Sequence, residues 1–394
     1  MVHETLHIVI FDGSFKTTPF IRRLVEGLVT ANHNVTIIGF NDNNPNPISK
    51  VTYQNLGSNA SKIKLIQTSL QLAFGTKKIR SVARTVKSIV QGNRHELQKQ
   101  NLDIVLQHIK PDVVHVQWPS LLPWMEPYMP NNRFKVVLSQ RGYHTNVRPF
   151  VDKSNFDYLH TWYPKLDALH SVSKAISKVG KKIGKPHTGI EKVVYTGLPL
   201  KTLHIKPQQI KKDDSIRLMS VGRPHWIKDY PTALKACALL KKRGVAFHYT
   251  IIGAADDEEV LFLLHQYDLQ DSVTVTNRLP QEEVYQQMQT ADILLLTSIA
   301  EGMPNVAVEA MALGLPVIST RCGGMDELIT DGKTGWLVPT RNPQAFADAI
   351  GNFKSLSLKD LNNVTGAARK KVTYQHSEKK MVEDMVKLYI ALHL

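Results

Sequence analysis

Short apolar runs alternate with amphipathic segments along most of the chain, and this alternation restricts the possible folds more than any other feature. Runs of strand length fall at 6–11, 34–40, 113–118, 135–139, 168–173 and 192–197, and then at 215–222, 247–253, 273–277, 292–298, 316–321 and 335–338. Segments with helical periodicity separate most of them, beginning with one that Thr18 can cap and Pro19 opens. Strands that alternate with helices predict doubly wound parallel sheets.

The length of 394 residues exceeds one typical core and predicts two domains. Periodicity is lost at 198–214, where Pro199, Pro207 and a charged cluster predict a linker. We therefore expect Rossmann-like α/β domains at 1–200 and 201–376, and a closing helix at 377–394.

Composition excludes several classes of protein. Hydrophobic residues make up 42% of the chain and charged residues 21%, so it can bury real cores and is not a disordered tail. Its two cysteines form no disulfide or metal framework and favour a reducing compartment. Because no apolar run approaches the roughly 20 residues that span a bilayer, we expect a soluble or peripheral cytoplasmic protein.

The segment 294–327, LLLTSIAEGMPNVAVEAMALGLPVISTRCGGMDE, holds the candidate active site. A buried strand, a tight loop with Glu301 and Gly302, and a helix predict free N–H groups suited to a phosphate or a sugar hydroxyl. Glu309 falls among apolar helical residues, where a carboxylate needs a hydrogen-bonding partner. A ribose diol would serve, and a backbone cap or an arginine is the alternative.

A second segment, SVGRPHWIKDYPTAL at 220–234, lies at a predicted strand end, where open α/β sheets bind ligands. Arg223 and Lys228 could together neutralise a leaving diphosphate without a metal. The alternative is a pair of solvated surface cations.

The two segments together resemble retaining GT-B glycosyltransferases of glycosyltransferase family 4. Glu301 and Glu309 match the E-x7-E signature, and residues 222–228 match its G-R-x-x-x-x-K element. The resemblance is specific over most of 215–340 and loose over 1–200. It implies two Rossmann-like domains facing across a cleft, with the last helix crossing back onto the first. It also implies front-face transfer with retention from a UDP- or GDP-linked sugar, without a metal or other cofactor.

The resemblance further implies roles for individual residues. Arg223 and Lys228 would stabilise the leaving diphosphate, Glu301 would bind sugar hydroxyls, and Glu309 would bind the ribose. Further donor contacts are implied for Gly13, Arg278, Leu279, Gly302, Met303, Asn305 and Val306.

Two positions depart from the family pattern. The first loop has a single glycine, Gly13, where the family usually has two or more. Arg141, with His144 three residues on, stands where the family usually has a histidine before a glycine. Arg141 could bind a sugar hydroxyl or an acceptor carboxylate or phosphate, but it stays protonated and cannot act as a base.

The predicted function is therefore hexosyl transfer to a glycan or lipid-linked acceptor in cell-surface polysaccharide or glycolipid biosynthesis. Two alternatives belong to other classes: a nucleotide-sugar epimerase on the same fold, and a non-catalytic sugar-nucleotide-binding protein. The epimerase is disfavoured by the order of the charged residues along the chain, which are Arg223, Lys228, Glu301 and Glu309. The departures at Gly13 and Arg141 motivate the binding protein.

Charge is concentrated in the first half of the chain. Residues 1–200 hold 26 Lys and Arg against 12 Asp and Glu, whereas residues 201–394 hold 23 against 22. The stretch 43–95 has no acidic residue, and its nine cations alternate with apolar residues. This pattern predicts a basic amphipathic surface for the anionic inner face of the cytoplasmic membrane. Few aromatic residues interrupt the stretch, which disfavours nucleic acid. The alternative is a solvated face whose apolar residues pack on the sheet.

Overall fold

The computed structural model describes residues 5–41, 43–44, 46–129, 133–200, 203 and 215–393. The chain divides into two compact units, one of residues 1–172, 177–197 and 378–394 and the other of residues 173–176 and 198–377. Within the predicted linker, residues 201–202 and 204–214 lie outside the described residues.

Strands in the described residues form two sheets, and every pairing within them is parallel. In chain order they are β1 (His7–Gly13), β2 (Asn34–Gly39), β3 (Thr52–Asn55), β4 (Val113–Val116), β5 (Lys135–Gln140), β6 (Ala168–Ser171), β7 (Glu191–Val193), β8 (Ile216–Val221), β9 (Phe247–Ile252), β10 (Val273–Thr276), β11 (Ile293–Leu296), β12 (Val317–Thr320) and β13 (Trp336–Val338).

The α-helices lie between these strands and after the last of them. They are α1 (Pro19–Thr30), α2 (Lys62–Gly75), α3 (Ile79–Val90), α4 (Arg94–Ile109), α5 (Gly142–Asn146), α6 (Arg148–Val151), α7 (Lys153–Trp162), α8 (Lys174–Ile183), α9 (Tyr230–Lys242), α10 (Glu258–Gln266), α11 (Gln281–Thr290), α12 (Asn305–Leu313), α13 (Met325–Leu328), α14 (Pro343–Phe353), α15 (Leu358–Gln375) and α16 (Glu378–Ile390).

Both sheets reverse their strand order at one point. The first runs β3-β2-β1-β4-β5-β6-β7 and the second β10-β9-β8-β11-β12-β13. In each unit the chain adds strands outward on one side of the opening strand, then crosses to its other side. The switch points lie between β1 and β4 and between β8 and β11, and open α/β sheets bind ligands at the carboxyl ends of such strands. The prediction of two doubly wound α/β domains is confirmed.

Apolar side chains cover both faces of the first sheet. One cluster joins Ile8 and Ile10 of β1 to Leu24 of α1 and to Met385 and Tyr389 of α16. A second cluster, on the opposite face, includes residues of α4 and α7. Each fully buried large apolar side chain contributes about 1.5 to 3 kcal/mol, so α16 is an integral part of the first unit.

The core of the second unit joins its central strands to α9 and α14. Ile251 of β9 and Leu295 of β11 pack with Leu240 of α9 and Phe346 of α14. This packing fixes β8 and β11 as rigid neighbours, and the loops that follow them therefore begin from defined positions.

Three local features differ from the sequence expectations. The strand β3 lacks an apolar run because it is a half-exposed edge strand of sequence TYQN, and residues 62–90 form two helices that were predicted only as a basic surface. Thr18 occupies the N-cap position of α1, but its side chain makes no capping hydrogen bond, so that part of the prediction is wrong. None of the described helices has the length and apolar character needed to cross a membrane.

Candidate active site

The candidate site of the second unit lies at the switch point between β8 and β11. The loop after β8 carries Arg223 and Lys228, and the loop after β11 carries Glu301. Because the two strands are parallel neighbours, their carboxyl ends meet at one edge of the sheet. Lys228 Nζ lies 2.6 Å from Glu301 Oε1, although 73 residues separate them in the chain. Both residues were predicted to belong to the site, but this ion pair was not predicted.

Backbone and hydroxyl contacts hold the two loops together. The N–H of Ile299 donates to the carbonyl of Ile227 at 2.7 Å, and Thr297 Oγ1 donates to the carbonyl of Lys228 at 2.7 Å. Ser298 Oγ donates to Glu301 Oε1 at 2.8 Å. The side chains of Lys228 and Glu301 are 23% and 15% exposed, so the pair is oriented by protein yet open to a ligand.

The Gly323-Gly324 pair allows a third loop to approach Glu301. Gly323 has φ +53°, and a Cβ there would lie 1.9 Å from the Glu301 carbonyl oxygen. A Cβ on Gly324 would lie 2.6 Å from the Gly302 carbonyl oxygen, to which the Gly324 N–H donates at 3.0 Å. Any side chain at either position would displace the loop that carries Glu301.

The N-terminus of α12 lies next to this loop. The helix begins at Asn305 directly after Pro304, and no side chain caps it. Gly302 and Met303 are buried, whereas Asn305 and Val306 are half-buried. The first N–H groups of a helix have no intrahelical acceptor, so those of Asn305 and Val306 suit an anionic ligand.

Glu309 lies one turn further along α12. It is 9% exposed, as predicted for a carboxylate among apolar neighbours, and one oxygen accepts from Gln281 Nε2 of α11 at 2.9 Å. Sequence analysis did not consider this amide as a partner, because a glutamine 28 residues away gives no local signal.

The remaining predicted donor residues of this unit are exposed or half-buried. Arg223 is exposed and makes no hydrogen bond or ion pair with the described part of the chain. Arg278 is exposed and Leu279 is half-buried, and both follow the edge strand β10. The structure brings Lys228 into contact with Glu301, and it records no such contact for Arg223 or Arg278.

A second cluster occupies the switch point between β1 and β4 in the first unit. Asp12 at the end of β1 is buried, and its Oδ1 accepts from Trp118 Nε1 at 3.2 Å. Its other oxygen, Oδ2, is buried and makes no hydrogen bond within the described residues. Burial raises the pKa of Asp12 above its ordinary value. Gly13 follows with φ +75°, and a Cβ there would lie 2.9 Å from Leu121 Cδ2.

Arg141 joins the same cluster. Its guanidinium lies 4.3 Å from the ring centre of Phe20 and 5.6 Å from that of Trp118, and it donates to Gln117 Oε1 at 2.9 Å. Burial lowers its pKa to about 9, which leaves it protonated at neutral pH. The His144 ring lies 6.3 Å from the ring of Trp118. Trp118 was not predicted as a site residue, although its position just after β4 was the available signal.

Behind Arg141, four buried side chains form one hydrogen-bonded chain across β4, β5, β6 and α16. His170 Nε2 contacts the Val194 carbonyl oxygen at 3.1 Å, and Ser139 Oγ contacts His170 Nδ1 at 2.8 Å. His115 Nε2 contacts Ser139 Oγ at 2.8 Å, and Tyr389 Oη contacts His115 Nδ1 at 2.7 Å.

When both rings are neutral, the carbonyl at one end fixes the direction of every hydrogen bond in this chain. A carbonyl oxygen only accepts, so His170 Nε2 carries a hydrogen and its Nδ1 accepts from Ser139. Ser139 then accepts from His115 Nε2–H, and His115 Nδ1 accepts from Tyr389. Both histidines are neutral in this arrangement. Consistently, burial and the charge of Arg141 lower the pKa of His170 to about 3, and burial holds the pKa of His115 well below its ordinary value.

Solved structures resemble the chain over nearly its whole length. Sucrose-phosphate synthase from Thermosynechococcus elongatus superposes with a TM-score of 0.77 at 17% identity, covering 98% of this chain and 99% of that one. HepE from Anabaena, in complex with UDP and glucose, superposes with a TM-score of 0.71 at 17% identity, covering 98% and 100%. The protein therefore has the GT-B fold of glycosyltransferases.

Sequence comparisons match parts of the chain to known proteins. Residues 202–371 match the family described as glycosyl transferases group 1, and Arg223, Lys228, Glu301 and Glu309 all fall within this match. The putative colanic acid biosynthesis glycosyltransferase WcaL of Escherichia coli (strain K12) is 33% identical over 267 residues, which are 64% of this chain and 65% of that protein. The chain thus spans less than two thirds of the length of the curated relatives it matches first.

Proposed function

We propose that this protein is a retaining, metal-independent glycosyltransferase that moves a hexose from a nucleotide-diphosphate sugar to a glycan or lipid-linked acceptor. The observation that carries the proposal is the Lys228–Glu301 pair, 2.6 Å apart beside an uncapped helix N-terminus. A cation, free N–H groups and a fixed carboxylate in one place suit a sugar joined to a diphosphate. The match of residues 202–371 to glycosyl transferases group 1 supports the same assignment.

The ion pair leaves both partners with capacity for a ligand. An ammonium group has three donors, and Glu301 takes one of them, so Lys228 can give two to the diphosphate. A carboxylate can accept through both of its oxygens, so Glu301 can also contact sugar hydroxyls. Arg223 adds a planar guanidinium that is exposed and ready to bind phosphate oxygens.

In the proposed reaction, the bond between the anomeric carbon and the diphosphate oxygen breaks while an acceptor hydroxyl attacks from the same face. The leaving phosphate oxygen takes the proton of that hydroxyl, so no enzyme nucleophile is needed. Arg223, Lys228 and the first N–H groups of α12 stabilise the charge that develops on the diphosphate. Glu309 binds the ribose, and Arg278 and Leu279 lie near the base.

The first unit supplies the acceptor site in this proposal. Arg141 and His144 bind a sugar hydroxyl or the acceptor, beside the buried side chain of Asp12. Cell-surface polysaccharide or glycolipid synthesis at the inner face of the cytoplasmic membrane is the proposed setting. The similarity to WcaL, named for colanic acid biosynthesis, supports the polysaccharide part of this proposal.

A thermal-shift screen of UDP, GDP and their hexose conjugates tests the donor. A ligand at about 100 times its Kd stabilises the fold by about 2.7 kcal/mol, which raises Tm by about 5 to 10 °C for a unit of this size. The Arg223→Ala variant should show a smaller shift. No shift with any nucleoside diphosphate would refute the proposed donor site.

Incubation of the stabilising donor with and without acceptor then separates the alternatives. A transferase gives slow donor hydrolysis without acceptor and, with acceptor, an α-linked product from an α-linked donor. An epimerase would convert the donor into its epimer, and a binding protein would leave it unchanged. Inversion at the anomeric carbon would refute the retaining mechanism.

A further inference from the structure

The helix α3 turns its apolar face to solvent. Ile79, Ala83, Val86 and Val90 recur at the spacing of a single helical stripe, and all four are exposed, with Ile79 at 88% and Val90 at 82%. An ordinary surface helix buries such a stripe against the core. This stripe therefore has no partner within the described residues of its own unit.

The opposite face of α3 is the one that packs, and it is polar. Thr85 and Ser88 are the buried residues of α3, and the Ser81 carbonyl oxygen accepts from Gln100 Nε2 of α4 at 2.8 Å. Small hydroxyl side chains thus hold the helix to the unit, Val82 and Ile89 are half-buried, and Ile79, Val86 and Val90 point away. This packing orients the helix so that the stripe is exposed to solvent.

The neighbouring helix α2 shows the same tendency. Its buried residues are Leu65, Ser69 and Ala73, whereas Ile63 and Phe74 are exposed. The alternative interpretation, in which the apolar residues of this stretch pack on the sheet, is therefore wrong for the exposed members, whereas the half-buried Leu72 packs against a cluster that includes strand residues. Apolar side chains project from both helices.

Positive charge accompanies these side chains. Arg80, Arg84 and Lys87 lie along one flank of the α3 stripe and are exposed. Arg84 also pairs with Glu96 of α4, which leaves Arg80 and Lys87 as the cations of that flank without an ion pair among the described residues. More exposed cations lie on α2 and in the turn between the helices: Lys62, Lys64, Lys77 and Lys78.

We propose that α3 and the exposed residues of α2 form a docking surface for an anionic lipid bilayer. A helix with an apolar stripe and flanking cations lies in the plane of the interface, with its apolar residues among the acyl chains and its cations at the headgroups. The complete lack of acidic residues at 43–95 removes the repulsion that an anionic surface would otherwise meet. A protein partner would not require that lack of acidic residues.

The basic residues of α8 are a weaker docking element. Lys181 pairs with Glu191 at 3.3 Å, and no large apolar residue of α8 is among the exposed ones. The proposed surface therefore consists of α2, α3 and the turn between them. This proposal depends on the proposed function in one respect only, which is that docking would bring the enzyme to a membrane-borne acceptor.

Vesicle co-sedimentation tests the proposal directly. The full-length protein should bind vesicles of phosphatidylglycerol and phosphatidylcholine at low salt, with much weaker binding to pure phosphatidylcholine and release at high salt. Ile79→Ser with Val90→Ser should lower the partition coefficient at least tenfold. Arg80→Gln with Lys87→Gln should lower it about 25-fold, since each cation near an anionic surface contributes about fivefold.

The chain offers a matched control on α10. Leu261 and Phe262 are exposed, with Phe262 at 64%, but α10 opens with Glu258 and Glu259. Leu261→Ser with Phe262→Ser removes a similar apolar area and should leave vesicle binding unchanged. All the replaced residues are exposed, so Tm should stay close to that of the parent in every variant.

A fluorescent label tests insertion at a single position. Both native cysteines, Cys237 and Cys322, are buried, so an environment-sensitive dye can be attached selectively to Val86→Cys or to the control Leu261→Cys. Vesicles should shift the emission of the first to the blue and not that of the second. Equal binding to neutral vesicles, unchanged binding of the stripe variant, or a concentration-dependent dimer that the stripe variant abolishes would each overturn the proposal.

These measurements use no donor or acceptor. Failure of membrane binding would therefore leave the proposed transfer chemistry standing, and failure of the transfer assay would leave the docking surface standing.

Discussion

Acidification from pH 7 to pH 5 should weaken the first unit specifically, because His115 and His170 are held neutral inside it. Their hydrogen-bonded chain uses an accepting Nδ1 on each ring, and protonation of either ring would reverse the hydrogen bond of the facing hydroxyl and bury a positive charge. Burial lowers the pKa of His170 to about 3 and that of His115 well below the ordinary 6.5. The unfolded chain, by contrast, takes up a proton at each histidine near pH 6.5.

The sign and size of the effect follow from this difference in proton binding. Since the unfolded state binds more protons below pH 6.5, stability is complete above that pH and falls as the pH drops toward the folded pKa. For a histidine that stays neutral in the fold, the loss between pH 7 and pH 5 is about 2 kcal/mol. The two histidines together should lower the free energy of unfolding of the first unit by about 4 kcal/mol, which changes its opening equilibrium close to a thousandfold.

Hydrogen exchange followed by mass spectrometry measures this loss unit by unit. Protection of peptides from β4, β5 and β6, corrected for the intrinsic exchange rate, should fall about a thousandfold from pH 7 to pH 5. Peptides from β9 and β11 in the same sample provide the internal control and should change far less. Tyr389→Phe, which removes the hydroxyl that donates to His115, should cost about 1 to 3 kcal/mol at pH 7. Titration of either ring near pH 6.5 by nitrogen NMR, or an equal change in both units, would refute the reasoning.

Three further predictions concern the candidate site. Arg223→Ala and Lys228→Ala should each lower kcat on the order of 100-fold with the fold intact, whereas Lys242→Ala on an exposed part of α9 should not; turnover within a few-fold of the parent would remove both residues from the mechanism. Calorimetry with the nucleoside diphosphate alone should show weaker binding for Glu309→Gln and nearly unchanged binding for Glu301→Gln, although the latter should cut transfer; equal losses would mean that the roles are misassigned. Transfer should survive excess EDTA. If EDTA abolished it and magnesium or manganese restored it, the proposal that Arg223 and Lys228 bind the diphosphate without a metal would be contradicted.

The sequence by itself determined the features that depend on neighbours along the chain. Apolar runs of strand length between helical segments fix the α/β class, because each strand and helix buries a face that its own periodicity records. The signatures around Glu301 and Arg223 are equally local, since a strand, a loop and a helix N-terminus follow one another within a few residues. For the same reason Glu309 was expected to be buried from its apolar neighbours alone.

Only the tertiary structure decided which distant groups meet. The contact of Lys228 with Glu301 spans 73 residues, and that of His115 with Tyr389 spans 274. No periodicity encodes such pairs, because they follow from the strand order and from the return of α16 to the first unit. The same holds for the stripe on α3. Its spacing shows that the helix has an apolar face, but only the packing of Thr85 and Ser88 against the unit decides that this face is turned to solvent.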